Sequence, residues 1–378
     1  MAADRAGQLG LRIYLVGGFV RDILLNRTNL DIDLTVEGNA LALAQDLAKA
    51  TNAGITVHGR FGTARLKYPD FVLDLAMARK ETYPHPGSLP VVQSGSIEED
   101  LFRRDFTINA MAISLNPGSY GALVDPYGGR SDLEAGIIRI LHSKSFIDDA
   151  TRIWRAIRYE QRLCFRIEPT TLYHLRNSLA MLDTISADRL RHEFDRVLEE
   201  ETPEKILQRA WSLGVLQHLH PSLKADRWLS AKYRVARKST GYPMLRTFYT
   251  ALLAYRLDAE ECDTFITRLN FPSRTARVIR DTVQLRMLSQ ELRMPSVSPG
   301  RVYELVNGHE TTAILVAALA TDSVAERRRL KNYLRCSLQT RLALNGRDLQ
   351  ALGVPAGQLI GRALRELLKA KLDGRVRS

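Results

Sequence analysis

The first 141 residues alternate between short strand-like segments and helical segments. Residues 13–16 are continuously apolar, and residues 31–36, 55–57, 63–67, 71–77 and 138–141 have the length and side-chain pattern of strands. Residues 19–26 and 40–50 have helical spacing, and Asn39 is a typical N-cap residue before the second helix. This order of elements predicts a mixed α/β fold over residues 1–141.

Strand patterns cease from residue 146 onward. Residues 146–163, FIDDATRIWRAIRYEQRL, have helical spacing, and Ser186 is a typical N-cap residue for a further helix. Beyond residue 203 the chain is helical, with breaks near residues 214, 241–243, 272 and 295–300. We therefore expect three regions: a head over 1–141, a helical neck over 142–200, and an all-helical body and tail over 201–378.

A glycine pair and two aspartates are the first candidate chemistry in the chain. Gly17 and Gly18 end the first strand, and glycines allow a sharp turn and a close approach of the backbone to a ligand. The helix after them offers free N–H groups to a phosphate, and Arg21 adds a charged donor. Asp31 and Asp33 point to the same side of the next strand, where a cation would offset their repulsion. Mg²⁺ fits best, because it prefers oxygen ligands and shares them with phosphates.

The string G-G-x-V-R-D followed by D-x-D resembles the head of class II tRNA nucleotidyltransferases and bacterial poly(A) polymerases, which are DNA polymerase β-like nucleotidyltransferases. The resemblance implies an α/β nucleotidyltransferase head with a mixed sheet, followed by an all-α neck, body and tail. It assigns Gly17, Gly18, Arg21 and Asp22 to the nucleotide, and Asp31 and Asp33 to catalysis and Mg²⁺. Asp74, on the opposite face of its strand from Leu73 and Leu75, matches a supporting carboxylate; the alternative is a hydrogen-bonded structural aspartate.

Two further strings extend the resemblance through the head. RRDFTINAMA, residues 103–112, matches a family signature in which Arg104 contacts the phosphates or sugar, and Asp105 and Asn109 hold the fold around the nucleotide. Ile108, Met111 and Ala112 have helical spacing there. Residues 78–96 are rich in proline and glycine and predict a long loop. The resemblance implies a flexible loop needed for adding the terminal A, with Arg79, Glu81 and Tyr83 fitting its pattern.

The acid and arginine at positions 149 and 152 are the candidate base-reading pair. Three residues apart, Asp149 and Arg152 are neighbours on a predicted helix, and Arg155 and Arg158 continue the spacing. Such a pair is usually a surface ion pair, but DDATRIWRAIR resembles the E-D-x-x-R helix with which the family reads the incoming base. We expect all four residues to bind nucleotide.

The net charge indicates a polyanionic partner. The chain of 378 residues has 54 Lys and Arg against 42 Asp and Glu, a net charge of +12. From residue 327 to 378 there are 13 basic and 3 acidic residues. This basic tail suggests nucleic acid, and the alternative is a solvated helical surface.

Cysteine use and hydropathy place the protein in a reducing cytoplasm. The three cysteines, Cys164, Cys262 and Cys336, have neither disulfide nor zinc spacing, and Cys164 and Cys262 are expected in the core. No signal segment and no apolar stretch of membrane-spanning length is present. We expect no membrane association and no obligate protein partner.

The predicted activity is template-independent addition of the 3′-terminal CCA, or only its final A, to tRNA from CTP and ATP with release of pyrophosphate. ARKETYPHPGSLPVV and ILHSKSFIDDATRI look most like the A-adding branch of the family. A poly(A) polymerase carries the same head motifs and is an alternative. A non-catalytic tRNA-binding module on the same fold is an alternative of another class.

Overall fold

The computed structural model describes residues 1–28, 30–59, 62–239 and 246–376. Contacts divide the chain into two compact units, Met1–Arg189 and Leu190–Ser378. The predicted division at residues 141 and 200 stays a prediction, and the predicted helix break at 241–243 lies outside the described residues.

The first unit is built on a mixed sheet. The strands are β1 (Arg12–Val16), β2 (Asp31–Glu37), β3 (Gly54–His58), β4 (Thr63–Lys67), β5 (Val72–Met77), β6 (Arg79–Thr82), β7 (Val91–Ser94), β8 (Ala112–Ser114), β9 (Leu123–Val124), β10 (Ile137–Ile138) and β11 (Arg166–Ile167). Seven of them form one sheet in the order β3-β4-β5-β2-β1-β8-β9, in which β2 and β5 are parallel and the other neighbours antiparallel. Strand β6 pairs with β7, and β10 pairs with β11, in two small sheets.

Helices surround this sheet and continue into the second unit. They are α1 (Ala2–Gln8), α2 (Gly18–Leu24), α3 (Ala40–Thr51), α4 (Ile97–Phe102), α5 (Gly129–Ala135), α6 (Ser145–Asp148), α7 (Thr151–Leu163), α8 (Pro169–Asn177) and α9 (Ala187–Leu198), with 3₁₀ turns at Thr107–Asn109 and Leu179–Thr184. The mixed α/β head predicted from the sequence is confirmed.

The core of the head lies between α3 and the sheet. Leu43 and Leu47, one helical turn apart, are buried against Leu66 and Leu75 of neighbouring strands. Asn39 caps α3 as predicted, because its side chain accepts a hydrogen bond from the backbone N–H of Ala42. Burial of one such leucine contributes about 1.5–3 kcal/mol, so this layer fixes the strands that carry the aspartates.

The segment predicted as a long loop, residues 78–96, contains an antiparallel hairpin, so that prediction is wrong. Strands β6 and β7 pair Arg79 with Ser94 and Thr82 with Val91. The sequence gives no alternation of apolar and polar residues because the side chains of β6 form ion pairs instead of facing a core. The prolines and glycine that predicted a loop lie between the two strands.

The continuous helix predicted over residues 146–163 is also wrong. The chain forms α6, leaves the helix at Asp149, whose φ is −141°, and starts again as α7 at Thr151. Phe146, Ile153 and Ile157 are buried on both sides of this break. The spacing of these apolar residues is therefore that of one continuous helix, although they lie on two separate helices.

Residues 104–112 do not form the helix that the spacing of their apolar residues suggested. A 3₁₀ turn over Thr107–Asn109 leads into β8. Ile108, Met111 and Ala112 are fully buried, so their inward packing is confirmed while the helix is not. The short strand β11 likewise follows residue 146, where no strand was expected.

The second unit contains only helices among its described residues. They are α10 (Pro203–Ser212), α11 (Arg227–Lys238), α12 (Arg246–Ala254), α13 (Ala259–Arg268), α14 (Ser273–Met287), α15 (Ser289–Arg293), α16 (Pro299–Val306), α17 (Thr311–Ala320), α18 (Val324–Arg335), α19 (Gly346–Ala351) and α20 (Gln358–Leu372), with 3₁₀ turns at Leu216–His218 and Ser337–Gln339.

Two other predictions concern the cysteines and membrane association. Cys262 is buried in the second unit as predicted, whereas Cys164 is exposed. Cys164 ends α7 in the left-handed conformation, so its apolar neighbours pack inward while its own side chain does not. Among the described helices, none has the length and apolar character needed to cross a membrane.

We expect Gly129→Ala to lower the free energy of unfolding by about 1–3 kcal/mol, because overpacking a buried site forces its neighbours to move. A Cβ at Gly129 would overlap the backbone carbonyl of Thr107 and lie 2.8 Å from Met111 Cγ. Gly7→Ala is the matched control, since it is also helical and a Cβ there meets nothing within 4 Å. Equal stability of both variants in urea denaturation would contradict this packing.

Candidate functional site

A cleft of about 460 Å³ opens in the first unit beside the Gly17-Gly18 turn. Its walls come from that turn, from β2 and β6, from residues 103–109 and from α7. The residues predicted from the sequence that line it are Gly17, Gly18, Asp33, Arg79, Glu81, Tyr83, Arg104, Asp105, Asn109, Asp149, Arg152 and Arg155. This volume suits a small-molecule ligand.

The glycine turn is required by an arginine that packs against it. Gly17 has φ +69°, and a Cβ there would lie 2.7 Å from Arg104 Nη1. Arg104 is held in turn by Asp100, whose Oδ2 accepts from Arg104 Nη2 at 2.8 Å. The glycine thus leaves room for a cationic side chain beside the N-terminus of α2.

Arg21 and Asp22 lie beneath the cleft instead of lining it. Arg21 is buried and donates to Asp22 Oδ1 through Nε and Nη2, at 2.9 and 2.8 Å, and to Asn109 Oδ1 through Nη1 at 2.8 Å. Their predicted contact with nucleotide stays a prediction. What the geometry does show is that Arg21 positions Asn109.

Carboxylates from two adjacent strands form one row. Asp33 of β2 pairs in parallel register with Asp74 of β5, and Asp74 pairs with Arg65 of β4. Arg65 donates to both oxygens of Asp74, at 2.8 and 2.7 Å. Asp74 is therefore neutralised by an arginine, and its predicted support of catalysis stays a prediction.

Asp33 is the carboxylate of this row that lines the cleft. Burial raises its pKa above the ordinary value, and the negative charges of Asp74 and Asp31 raise it further, against the opposing effect of Arg104. A cation beside Asp31 and Asp33 would remove this penalty. The donor set fits a hard cation that keeps water or phosphate ligands. Among the described residues, no group of three or more His, Cys, Asp or Glu side chains is placed to hold a metal by itself.

Asp105 joins the segment of residues 103–112 to α7. Its Oδ1 accepts from the Phe106 and Asn109 nitrogens, both at 2.9 Å, and its Oδ2 accepts from Arg155 Nε at 2.8 Å. Burial alone would raise the pKa of Asp105, but the charge of Arg155 and the hydrogen bond from Asn109 outweigh burial and lower the pKa to about 2.

The predicted base-reading pair lies in the cleft, but not as two neighbours on one helix. Asp149 precedes α7 and accepts hydrogen bonds from Thr151 and Arg189. Arg152, on the first turn of α7, donates to Ser145 Oγ and to the backbone carbonyl of Arg103, both at 2.7 Å. Each side chain is thus held by separate partners. Arg158 is buried on α7, 4.9 Å from the Tyr159 ring centre, and does not line the cleft.

The hairpin forms a wall of the cleft through Glu81. This buried carboxylate accepts from Arg79 Nε at 3.0 Å, Tyr83 OH at 2.8 Å and Arg103 Nη1 at 3.3 Å. Burial raises the pKa of Tyr83, and the adjacent charge of Glu81 raises it further. The three residues predicted for the flexible loop therefore act as one connected group.

Comparison with known proteins places this chain in a family. A family profile described as "Poly A polymerase head domain" matches residues 13–139, and one described as "Probable RNA and SrmB- binding site of polymerase A" matches residues 164–227. An A-adding tRNA nucleotidyltransferase of Halalkalibacterium halodurans is 32% identical, over 96% of this chain and 84% of its own length. This chain belongs to the class II tRNA nucleotidyltransferase and poly(A) polymerase family.

Other members of the family differ from this chain in length. An A-adding tRNA nucleotidyltransferase of Geobacter sulfurreducens is 34% identical over 97% of this chain, which spans only 44% of that relative. A relative from Aquifex aeolicus is likewise covered to 44%. A solved structure of a CCA-adding enzyme with ATP has a TM-score of 0.80 at 34% identity, covering 100% of this chain and 91% of that one.

Several residues of this cleft were missed from the sequence. Arg103, Thr151 and Tyr159 also line the cleft, and Arg189 contacts Asp149. Two of these had a usable signal. Thr151 follows Asp149 by two positions, the spacing at which an aspartate accepts from the backbone in an Asx-turn. Tyr159 lies seven residues after Arg152, on the same face of a helix.

We expect Asp105→Asn to lower the free energy of unfolding by about 2 kcal/mol at pH 7, because a pKa lowered from 3.8 to about 2 stabilises the fold by that amount. Since the folded pKa lies below the unfolded one, this stability is present above pH ~4 and is lost as the pH falls towards 2. The difference between parent and variant, measured by denaturation, should therefore shrink in acid.

The exposed Asp70→Asn is the control for that experiment. It should change stability little at any pH. A difference for Asp105→Asn that stays constant from pH 7 to pH 3 would show that the buried charge is not the origin of the effect.

Proposed function

We propose that this chain transfers nucleotides from ATP, or from CTP and ATP, to the 3′ end of tRNA and releases pyrophosphate. The observation that carries the proposal is the content of one cleft. A glycine turn with Arg104, a carboxylate row with Asp33, and the Asp149 and Arg152 side chains all face the same space. These are the parts needed to hold a triphosphate, a cation and a base.

Mg²⁺ is the proposed cation, and Asp31 and Asp33 would hold it. When bound, Mg²⁺ neutralises phosphate charge and lowers the pKa of a coordinated hydroxyl. The raised pKa of Asp33 supports a site that gains from a cation. The protein supplies few ligands there, as expected for a metal that shares its coordination with a triphosphate.

The residues around the cleft then perform positioning and charge stabilisation. Arg104 and the Gly17-Gly18 backbone would bind the triphosphate, while Asp105 and Asn109 hold Arg155 and Arg21 behind it. Catalysis of this kind requires the 3′-hydroxyl and the α-phosphate to be held in line, with donors ready for the developing charge.

Base selection follows from the chemistry of two side chains. A carboxylate only accepts hydrogen bonds and a guanidinium only donates them. Adenine and cytosine each place an amino donor beside a ring nitrogen acceptor, which matches Asp149 and Arg152. Guanine and uracil present the reverse order. The pair would therefore select A and C together without a template.

The number of nucleotides added is the finer part of the proposal. The relatives from Halalkalibacterium halodurans and Geobacter sulfurreducens carry names that specify A addition, which supports terminal A addition here. The solved structure with ATP is of a CCA-adding enzyme, so complete CCA addition is the second candidate. A poly(A) polymerase remains the alternative activity, and a non-catalytic tRNA-binding module the alternative class.

The helical body and tail are proposed to bind the tRNA in the cytoplasm. The 13 basic residues against 3 acidic ones from residue 327 onward support a phosphate-rich partner. The match of residues 164–227 to the RNA-binding profile supports RNA as that partner.

The activity is tested with three tRNA substrates that end before the CCA, at C, and at CC. Each is offered labelled CTP or ATP with the full chain, and pyrophosphate release is followed in parallel. We expect the tRNA ending at CC to accept a single A. Addition of C to the shorter substrates would establish the CCA activity instead. Repeated addition of A would establish the poly(A) polymerase activity. If no pyrophosphate is released, the chain is the non-catalytic tRNA-binding module.

We expect Asp33→Ala and Asp31→Ala each to lower kcat and kcat/KM together by at least about a hundredfold, because the lost interaction acts mainly in the transition state. Binding of tRNA, measured by filter retention, should stay near the parent value. Asp70→Ala is the control, being an exposed aspartate outside the cleft. Near-normal kcat in either cleft variant would rule out the carboxylate assignment.

A further inference from the structure

Three hydrogen-bond donors converge on a single oxygen of Asp149. Oδ1 accepts from Thr151 N at 3.0 Å, from Thr151 Oγ1 at 2.6 Å and from Arg189 Nη2 at 2.8 Å. Among the described residues, none donates to Oδ2. The Asp149 side chain is 20% exposed and lines the cleft, so the second oxygen is the one left for a ligand.

This asymmetry fixes the orientation of the carboxylate. The terminal torsion of an aspartate is broad and roughly two-fold, so an unrestrained carboxylate turns easily and presents its oxygens in many directions. Hydrogen bonds to an ionised acceptor are short and strong, and three of them on one oxygen restrict that rotation. The second oxygen, Oδ2, is then held in one orientation toward the cleft.

Thr151 supplies two of the three donors. It is the first residue of α7, it is 7% exposed, and its backbone nitrogen and hydroxyl both reach Asp149. Arg189 approaches from another element and also donates weakly to the carbonyl of Gly87, at 3.4 Å.

We propose that Thr151 is a specificity-positioning residue, whose hydroxyl turns Asp149 so that Oδ2 stands as a fixed acceptor beside the donors of Arg152. This inference rests on the proposed function. It assigns to Thr151 the discrimination of an amino group from a carbonyl on the incoming base. A carboxylate free to rotate or to recruit water would tolerate guanine or uracil better, because a bridging water can supply the missing donor.

The test compares Thr151→Val with Thr151→Ser in the full chain. Valine keeps the shape and removes the hydroxyl, while serine keeps the hydroxyl and removes the methyl group. The kcat/KM for ATP, CTP, GTP and UTP is measured on one tRNA ending at CC. We expect Thr151→Val to raise GTP and UTP incorporation relative to ATP by roughly three- to tenfold, the effect of one hydrogen bond. Thr151→Ser should keep the selectivity of the parent.

A double-variant cycle separates positioning from direct contact with the nucleotide. If Thr151 acts through Asp149, Thr151→Val should not change selectivity further in an Asp149→Ala background. An equal additional loss there would mean that the hydroxyl contacts the nucleotide itself and would overturn the inference. Unchanged selectivity in Thr151→Val alone would overturn it as well.

Two measurements keep the outcome interpretable. Thermal melting reports whether each variant folds. If Thr151→Val does not fold, Thr151→Ala, which removes both the hydroxyl and the methyl group, replaces it in the comparison. Incorporation of A by the parent chain is read first. Its absence would refute the proposed function, whereas its presence with unaltered selectivity in the variants would refute only the role of Thr151.

Discussion

The buried carboxylate of Asp105 is the point on which the arrangement of the cleft depends. It binds Asn109 on its own segment and Arg155 on α7, and Asn109 in turn accepts from Arg21 of α2. One line of hydrogen bonds therefore connects α2, which follows the Gly17-Gly18 turn, with residues 103–112 and with α7. A shift of any one element would leave a buried charge without its partner, which is costly.

Nearby carboxylates explain why many arginines lie in and beneath the cleft without large repulsion. Arg21 is neutralised by Asp22, Arg103 and Arg104 share Asp100, and Arg155 is neutralised by Asp105. The ring of Tyr159 lies against Arg21 and Arg155, with centroid distances of 5.2 and 5.8 Å. Compared with apolar residues of similar volume, buried pairs of this kind add little net stability, but they fix geometry. The side chains of the cleft are thus held in fixed positions, which the proposed nucleotide transfer would require.

Sequence patterns predicted the head well where burial on one face determines the side chains. Strand β4 and the cap of α3 follow from alternation and from Asn39. The β6–β7 hairpin could not be predicted in that way, because the side chains of β6 form ion pairs with other side chains instead of packing in a core. The break at Asp149 was hidden because apolar residues continue at helical spacing on both sides. Arg189 was missed because its hydrogen bond to Asp149 spans 40 residues of sequence, and no periodicity shows such a contact.

The break in the helix changes how the Asp149 and Arg152 side chains are held. On one continuous helix, an acid and an arginine three residues apart lie within reach of each other and tend to satisfy one another as an ion pair. In the observed arrangement Asp149 is held by Thr151 and Arg189, and Arg152 by Ser145 and the Arg103 carbonyl. Each therefore keeps bonding capacity directed at the cleft. The protein gains a fixed acceptor beside fixed donors, which an ordinary helical ion pair would have consumed.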